Sequence, residues 1–250
     1  MPDSPLAVDL YCGLGGWAEG FLAEGYRVVG FDIERHDYGN GSYPGELALQ
    51  DVLTLHGSQF RHAACSVASP PCQEYSYRAM PWKRVRELPA PSNELFETCF
   101  RIQREASKAA GHHVPMVVEN VRGAERWVGR AAWHFGSYYL WGDVPALMPF
   151  ASGVKMKGSG AAWFDAGFTR FPSSSPRRRA ASAQIAKIPL ALAQHIARVY
   201  KPSSYGDATC DARLELTPAQ APAAMPRWLA NNREISRPGR GGRRRVCGRQ

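Results

Sequence analysis

Paired cysteines are missing from this chain. Its six cysteines (Cys12, Cys65, Cys72, Cys99, Cys210 and Cys247) nowhere form a CxxC pair. That spacing removes the usual zinc and disulfide frameworks, so no metal is expected and a reducing cytoplasm is the expected location. There is no apolar run near the roughly 20 residues that cross a bilayer, and no signal-peptide pattern opens the chain, so no membrane partner is expected. Acids are scarce, with 22 Asp and Glu against 31 Lys and Arg and a net charge of +9. The excess is uneven. From Arg233 onward seven arginines face one acid, Glu234. That stretch reads as a flexible, low-complexity tail able to add salt-sensitive affinity for phosphate.

What is present begins with a strand, a turn and a helix. Leu6-Ala7-Val8-Asp9-Leu10-Tyr11 is a hydrophobic strand, Cys12-Gly13-Leu14-Gly15-Gly16 is a glycine-rich turn, and residues 17–23 have helical spacing. A second strand, Arg27-Val28-Val29-Gly30-Phe31, finishes at Asp32 and Glu34. An acid about 20 residues beyond the first strand can hold ribose hydroxyls. The turn lacks the full dinucleotide fingerprint, and Asp9 lies inside the strand, where a carboxylate would repel a pyrophosphate. Both features suit a donor with an amino-acid end and no phosphate, S-adenosylmethionine rather than NAD. Asp51, followed by Val52, reads either as a contact for an adenine amino group or as an N-cap ahead of Leu53.

Two later strands end in reactive groups. The small-residue run Ala63-Ala64-Cys65-Ser66-Val67-Ala68 stops at Ser69-Pro70-Pro71-Cys72-Gln73, and Met116-Val117-Val118 leads into Glu119-Asn120-Val121. Prolines supply no N–H and cannot continue a ladder, so Cys72 sits on a rigid loop just past a strand. Both groups then lie beyond the carboxyl ends of buried strands, the edge where open α/β sheets bind ligands. A lone cysteine is more often a small buried apolar residue than a nucleophile; the loop and the acid favour the nucleophile. A thiolate that adds to C6 of cytosine, with a carboxyl group at N3, turns C5 into a carbon nucleophile able to accept a methyl group.

These residues resemble a known family. Asp9-Leu10-Tyr11-Cys12-Gly13-Leu14-Gly15-Gly16 looks like the first motif of the DNA cytosine-5 methyltransferases, Pro71-Cys72-Gln73-Glu74-Tyr75-Ser76 like their nucleophile motif, and Glu119-Asn120-Val121 like their cytosine-binding motif. The three occur in the family's order. The resemblance implies an α/β, Rossmann-like class I fold dependent on S-adenosylmethionine, with a mostly parallel sheet and helices on both faces. It implies that Tyr11, Gly13 and Gly15 line the donor, with Asp9 in the same motif. Asp32 would hold the ribose, Asp51 and Val52 the adenine, and Leu95 its other face, with Pro71 shaping the loop beside the donor. Cys72 would be the nucleophile, Glu119 the contact to N3, and Asn120 the tie for the nucleophile loop. Gln73, Ser76, Arg78, Lys83, Arg84 and Arg122 are expected on the side of duplex DNA with an extruded cytosine.

The match departs from the pattern in two places. Where the family carries a Gln-x-Arg-x-Arg strand, this chain has Phe135-Gly136-Ser137-Tyr138-Tyr139-Leu140-Trp141-Gly142, read as one aromatic strand without arginine. The late Gly-Asn-Ser-Val type motif has Ala186-Lys187-Ile188-Pro189 as its nearest counterpart. Such variants look similar to small phage or prophage members with a reduced recognition region. A catalytically inactive DNA-binding homologue and an enzyme using a different sulfonium donor are the alternatives. An RNA methyltransferase of this fold would need a Thr-Cys near residues 119–120, which is absent.

The 250 residues suffice for one core of about 200 residues. Residues 1–142 read as the catalytic and donor-binding domain, 143–180 as a short recognition region, 181–201 as a helix returning to the first domain, and 202–250 as a basic tail. The helix near 92–109 is expected to start at a Ser92 cap, and one helix is expected over 180–200 with Ile188, Leu192, Ile196 and Val199 on one face. The segment from Tyr77 to Arg86 mixes cations with aromatic groups, suited to phosphates and to the gap left by a flipped base. The Pro172-Ser173-Ser174-Ser175-Pro176-Arg177-Arg178-Arg179 cluster is read as a loop contacting DNA backbone. A monomer is expected.

Overall fold

In the computed structural model the described residues are 4–37, 41–76, 89–148, 172 and 175–202. The chain divides into two units, 1–205 and 206–250; every described residue belongs to the first.

Seven strands form one sheet: β1 (Leu6–Leu10), β2 (Arg27–Asp32), β3 (Glu46–Leu49), β4 (Ala63–Ala68), β5 (Met116–Asn120), β6 (Trp133–Phe135) and β7 (Tyr138–Gly142), in the order β3-β2-β1-β4-β5-β7-β6. The first five pair in parallel and β7 and β6 run antiparallel. This is the expected Rossmann-like architecture. The order reverses direction after β1, between β1 and β4, which is the switch point where such sheets take ligands. The central strands are buried on both faces and accordingly read as unbroken runs of small and branched apolar residues.

Alternation along the strands sends side chains to two layers. On one face Ala7, Val28, Val67, Val117 and Leu140 join a core with α1 (Gly16–Ala23) and the last described helix, α5 (Leu190–Val199). Helix α2 (Glu94–Ala110) covers the other face. There Phe96 meets Trp141 edge-on at 5.3 Å between ring centroids. A four-residue helix, α3 (Glu125–Val128), precedes the terminal hairpin.

Several local expectations need correction. The aromatic stretch at 135–142 is two strands, because Gly136 turns the chain with φ +56°. The helix expected over 180–200 is also two: α4 (Pro176–Ala186) and α5, separated by Lys187-Ile188-Pro189. Pro189 cannot donate the helical hydrogen bond, and the residue before a proline is driven to extended backbone. Val199 is half exposed rather than on the buried face. At α2 the capping position is Asn93, in the left-handed region, with the Ser92 hydroxyl accepting from the Glu94 amide at 3.3 Å. Residues 177–179, expected in a loop, lie in the first turn of α4, which Ser175 caps and Pro176 opens. The segment 77–86, with Arg78, Lys83 and Arg84, lies outside the described residues, as do most of the stretch expected to be a recognition region and all residues beyond 202.

The α1–α5 contact depends on a missing side chain. A Cβ on Gly20 would stand 2.3 Å from the Ala193 Cβ and 2.7 Å from the Gln194 amide nitrogen. Gly20→Ala is therefore expected to destabilise the protein by about 1–3 kcal/mol through overpacking, although alanine favours helix. A urea midpoint as high as the parent's would contradict this.

Candidate active site

The glycine-rich turn after β1 is held by backbone geometry. Tyr11 takes φ +55° and Gly13 φ +49°; the Tyr11 hydroxyl donates to the Leu95 carbonyl at 3.1 Å, joining the turn to the start of α2. The Gly13 amide donates at 3.0 Å to Asp32 at the end of β2. Asp32 also accepts from the Ile33 amide at 2.8 Å and faces the His36 ring at 3.3 Å. Burial pushes the Asp32 carboxyl up, but hydrogen bonds from His36 and the Gly13 amide outweigh it and the net shift is downward. The same pairing raises His36. A carboxylate has lone pairs to spare beyond these bonds, so Asp32 can still receive a hydroxyl.

These groups border a cavity of about 810 Å³ at the carboxyl edge of the sheet. Its lining includes Tyr11, Gly13, Asp32, Asp51 and Leu95, five of the residues expected to contact a donor. It also includes Pro71, Cys72, Gln73 and Ser76. A further wall, Arg179, Ser182, Ala183 and Ala186, comes from α4. No Cβ-distance neighbour lies within 4 Å of Gly13, so the turn leaves open space there.

Four expected residues are placed elsewhere. Asp9 is fully buried and accepts from the Tyr43 hydroxyl at 3.0 Å. Burial pushes its carboxyl well above the usual range, and its place is in the core against Tyr43 rather than on the cavity. Gly15 does not line the cavity; with φ +74° its Cβ position lies 2.5 Å from Pro44, so glycine is needed there for packing. Val52 is buried at 1% exposure, and its neighbour Leu53 reaches the cavity instead. Arg122 is exposed and off the cavity. Asp51 is the N-cap, accepting from the Leu53 amide at 2.9 Å, and it also lines the cavity.

Cys72 lies on the loop beyond β4, and Glu119 is the next-to-last residue of the neighbouring parallel strand β5. Asn120, 1% exposed, donates from Nδ2 to the Pro70 carbonyl at 3.0 Å and so ties the Cys72 loop to the end of β5. Gly123 presses against the Tyr75 carbonyl on the same loop. Burial raises the Cys72 thiol, a hydrogen bond with Ser76 opposes that rise, and the Glu119 charge adds to it. Glu119 is not itself a lining residue. It is bonded to Ser69, which does line the cavity and whose Oγ accepts from Trp17 Nε1 at 3.0 Å. Burial pushes the Glu119 carboxyl up to about 8, so it holds a proton at neutral pH. The pair in its resting form is therefore a thiol beside a neutral acid.

The sequence reading missed several lining residues. Ile33 is 73% exposed, an apolar side chain left in the cavity between Asp32 and Glu34; its place just past a strand end between two acids was the available signal. Trp17 and Ser69 were passed over as helix and loop residues. The α4 wall could not be found while 180–200 was read as one helix. Lys187, noted only as a motif counterpart, lines the cavity and pairs with Glu19 at 2.5 Å. Among the described residues no helix is long and apolar enough to cross a membrane, and no His, Cys, Asp and Glu group could hold a metal ion.

The raised Glu119 carboxyl makes stability depend on pH. Between its ordinary value of 4.5 and about 8 the folded state keeps a proton that the unfolded state releases. The contribution is full below 4.5 and is lost as pH rises through about 8. The melting temperature of Glu119→Gln should therefore gain on that of the parent across this window and then level off. A constant difference between the two proteins would contradict the assignment.

No protein-family model matches the chain, and no curated protein matches it. Among solved structures it is similar to a prophage-encoded Escherichia coli protein described as a DNA modification methyltransferase, with 21% identity over 50% of this chain and 35% of that one, TM-score 0.35. It is similar also to the Schizosaccharomyces pombe Dnmt2 methyltransferase (17% identity, 49% and 36% covered, TM-score 0.35). A third is the Entamoeba histolytica methyltransferase EhMeth (15%, 62% and 56%, TM-score 0.37). The chain thus spans about a third of the length of the first two. At this level of likeness the architecture rests on the strand order, and the chemistry on the residues around Cys72.

Proposed function

We propose that this protein methylates cytosine at C5 in DNA, with Cys72 as nucleophile, Glu119 as the acid at N3 and S-adenosylmethionine as the methyl donor. The observation that carries the reading is a thiol, Cys72, lining one cavity with Asp32 and Asp51, while a raised carboxyl on the adjacent strand, Glu119, is bonded to the lining residue Ser69. The donor fits these residues. Open space at Gly13, the prearranged Asp32 carboxylate, exposed Ile33 and the Tyr11–Leu95 contact suit a ribose and an apolar purine face. The cavity lies within the 300–1,000 Å³ usual for small-ligand sites. When bound, the donor supplies an electrophilic methyl group on a sulfonium.

The target base must leave the duplex, since its C6 is shielded while stacked. Cys72 loses its proton to solvent and its sulfur bonds to C6. Glu119 gives its proton to N3, taking up the charge that builds on the ring; a carboxyl near 8 is poised for that transfer at neutral pH. C5, made nucleophilic, gains the methyl group. Loss of the C5 proton to solvent, breaking of the sulfur–C6 bond and return of the N3 proton to Glu119 restore the aromatic ring, the thiolate and the acid. Asn120 and the two prolines hold Cys72 in place through these steps, and Ser76 offers the sulfur a hydrogen bond that favours its charged form. The basic segment at 77–86 and the arginine-rich tail are assigned to DNA phosphates.

Cys72→Ser should abolish incorporation of tritiated methyl groups into DNA while leaving duplex binding within about twofold of the parent. Bisulfite sequencing of DNA from expressing cells should show protected cytosines that vanish with the variant. Retained transfer by Cys72→Ser would end this reading. A parent that binds DNA but transfers nothing would favour the inactive homologue.

A further inference from the structure

The α4 wall carries a charge that this reading has not used. Its lining residues Arg179, Ser182, Ala183 and Ala186 follow helical spacing, so they form one stripe along the cavity. From Arg179 to Ala186 the stripe rises seven steps, or about 10 Å at a helical rise of 1.5 Å per residue. Its inner end is fixed. The next residues, Lys187 and Ile188, pack on Gly16, whose Cβ would stand 2.5 Å from the Ile188 nitrogen, and the Tyr138 hydroxyl donates to the Lys187 carbonyl at 3.0 Å. The donor-side turn is therefore met by the 186–188 end. Arg179 stands at the other end and is exposed to solvent.

The cavity's other cations are engaged. Lys187 pairs with Glu19, and His36 pairs with Asp32 and Glu34. Arg179 has no carboxylate within ion-pairing distance among the described residues. Strand β7 offers no substitute. Leu140 is the register partner of Glu119, and none of Tyr138, Tyr139, Leu140, Trp141 and Gly142 is a cation. A guanidinium left at the rim of a cavity that also holds Cys72 is suited to a bidentate phosphate contact.

We propose that Arg179 binds a backbone phosphate of the DNA strand beside the extruded nucleotide, making α4 a substrate-holding wall of the cavity that Cys72 also lines. This rests on the reading of DNA as substrate. It singles out one side chain of the 172–179 cluster, on a helix, with a defined target.

The test compares full-length parent, Arg179→Ala and Arg179→Lys on mixed-sequence duplex DNA, with Arg61→Ala as control; Arg61 is exposed just before the amino-terminal end of β4, away from the cavity edge. Binding is followed by fluorescence anisotropy from low to moderate salt. Arg179→Ala should weaken binding about tenfold and lower the slope of log affinity against log salt by about one, the loss of one phosphate contact. Arg179→Lys should keep most of the slope, and Arg61→Ala should change neither quantity appreciably. The dissociation constant for S-adenosylmethionine, measured by calorimetry, should stay within about twofold of the parent's in Arg179→Ala. An unchanged slope, an equal effect in Arg61→Ala, or weakening confined to the donor would each overturn the proposal. Failure of the parent itself to bind duplex DNA would instead overturn the substrate reading beneath it.

Discussion

A single hydrogen bond from the Asn120 side chain to the Pro70 carbonyl joins the ends of two parallel strands and, through them, the two reactive groups. The bond is buried, where a polar group without a partner costs about 1–3 kcal/mol, so the join is strongly held. Pro70 and Pro71 remove two amides from the Cys72 loop, leaving it few backbone bonds of its own. The asparagine supplies the missing anchor. Strand pairing does the rest: Ala68 stands beside Val118, so the chains leave β4 and β5 side by side and carry Cys72 and Glu119 to the same edge.

Around that join, burial tunes the chemistry. Cys72 and Glu119 are both raised by loss of solvent, and the Glu119 charge adds to the rise at Cys72. Asp32, a few strands away, is moved in the opposite direction by donors arranged around it. The site thus combines a raised acid and a raised thiol with a carboxylate held below the usual range. Such separation of protonation states among nearby groups is characteristic of sites built for acid–base and nucleophilic work.

Much of this was legible in the residues. Unbroken apolar runs gave the parallel strands, glycines the first turn, and the proline pair the Cys72 loop, because each depends on local backbone restriction. Asp9 was misjudged because its burial depends on Tyr43, 34 residues away, and no local pattern announces that contact. Gly15 likewise serves Pro44 rather than a ligand. The division of 180–200 into two helices was signalled by Pro189 and overlooked in favour of apolar spacing. The part played by α4 was not readable at all: its stripe has meaning only once the chain has returned to the mouth of the cavity.

The account stands on the Cys72 sulfur forming a bond to a pyrimidine ring. Incubation of the protein and S-adenosylmethionine with duplex DNA containing 5-fluorocytosine, followed by digestion and mass spectrometry, reads that bond directly, because fluorine blocks the proton loss that would free the enzyme. The account predicts a denaturant-stable adduct on the peptide holding Cys72 and none on those holding Cys12, Cys65 or Cys99. An adduct on another cysteine, or methyl transfer to unmodified DNA without any adduct on the fluorinated duplex, would contradict it.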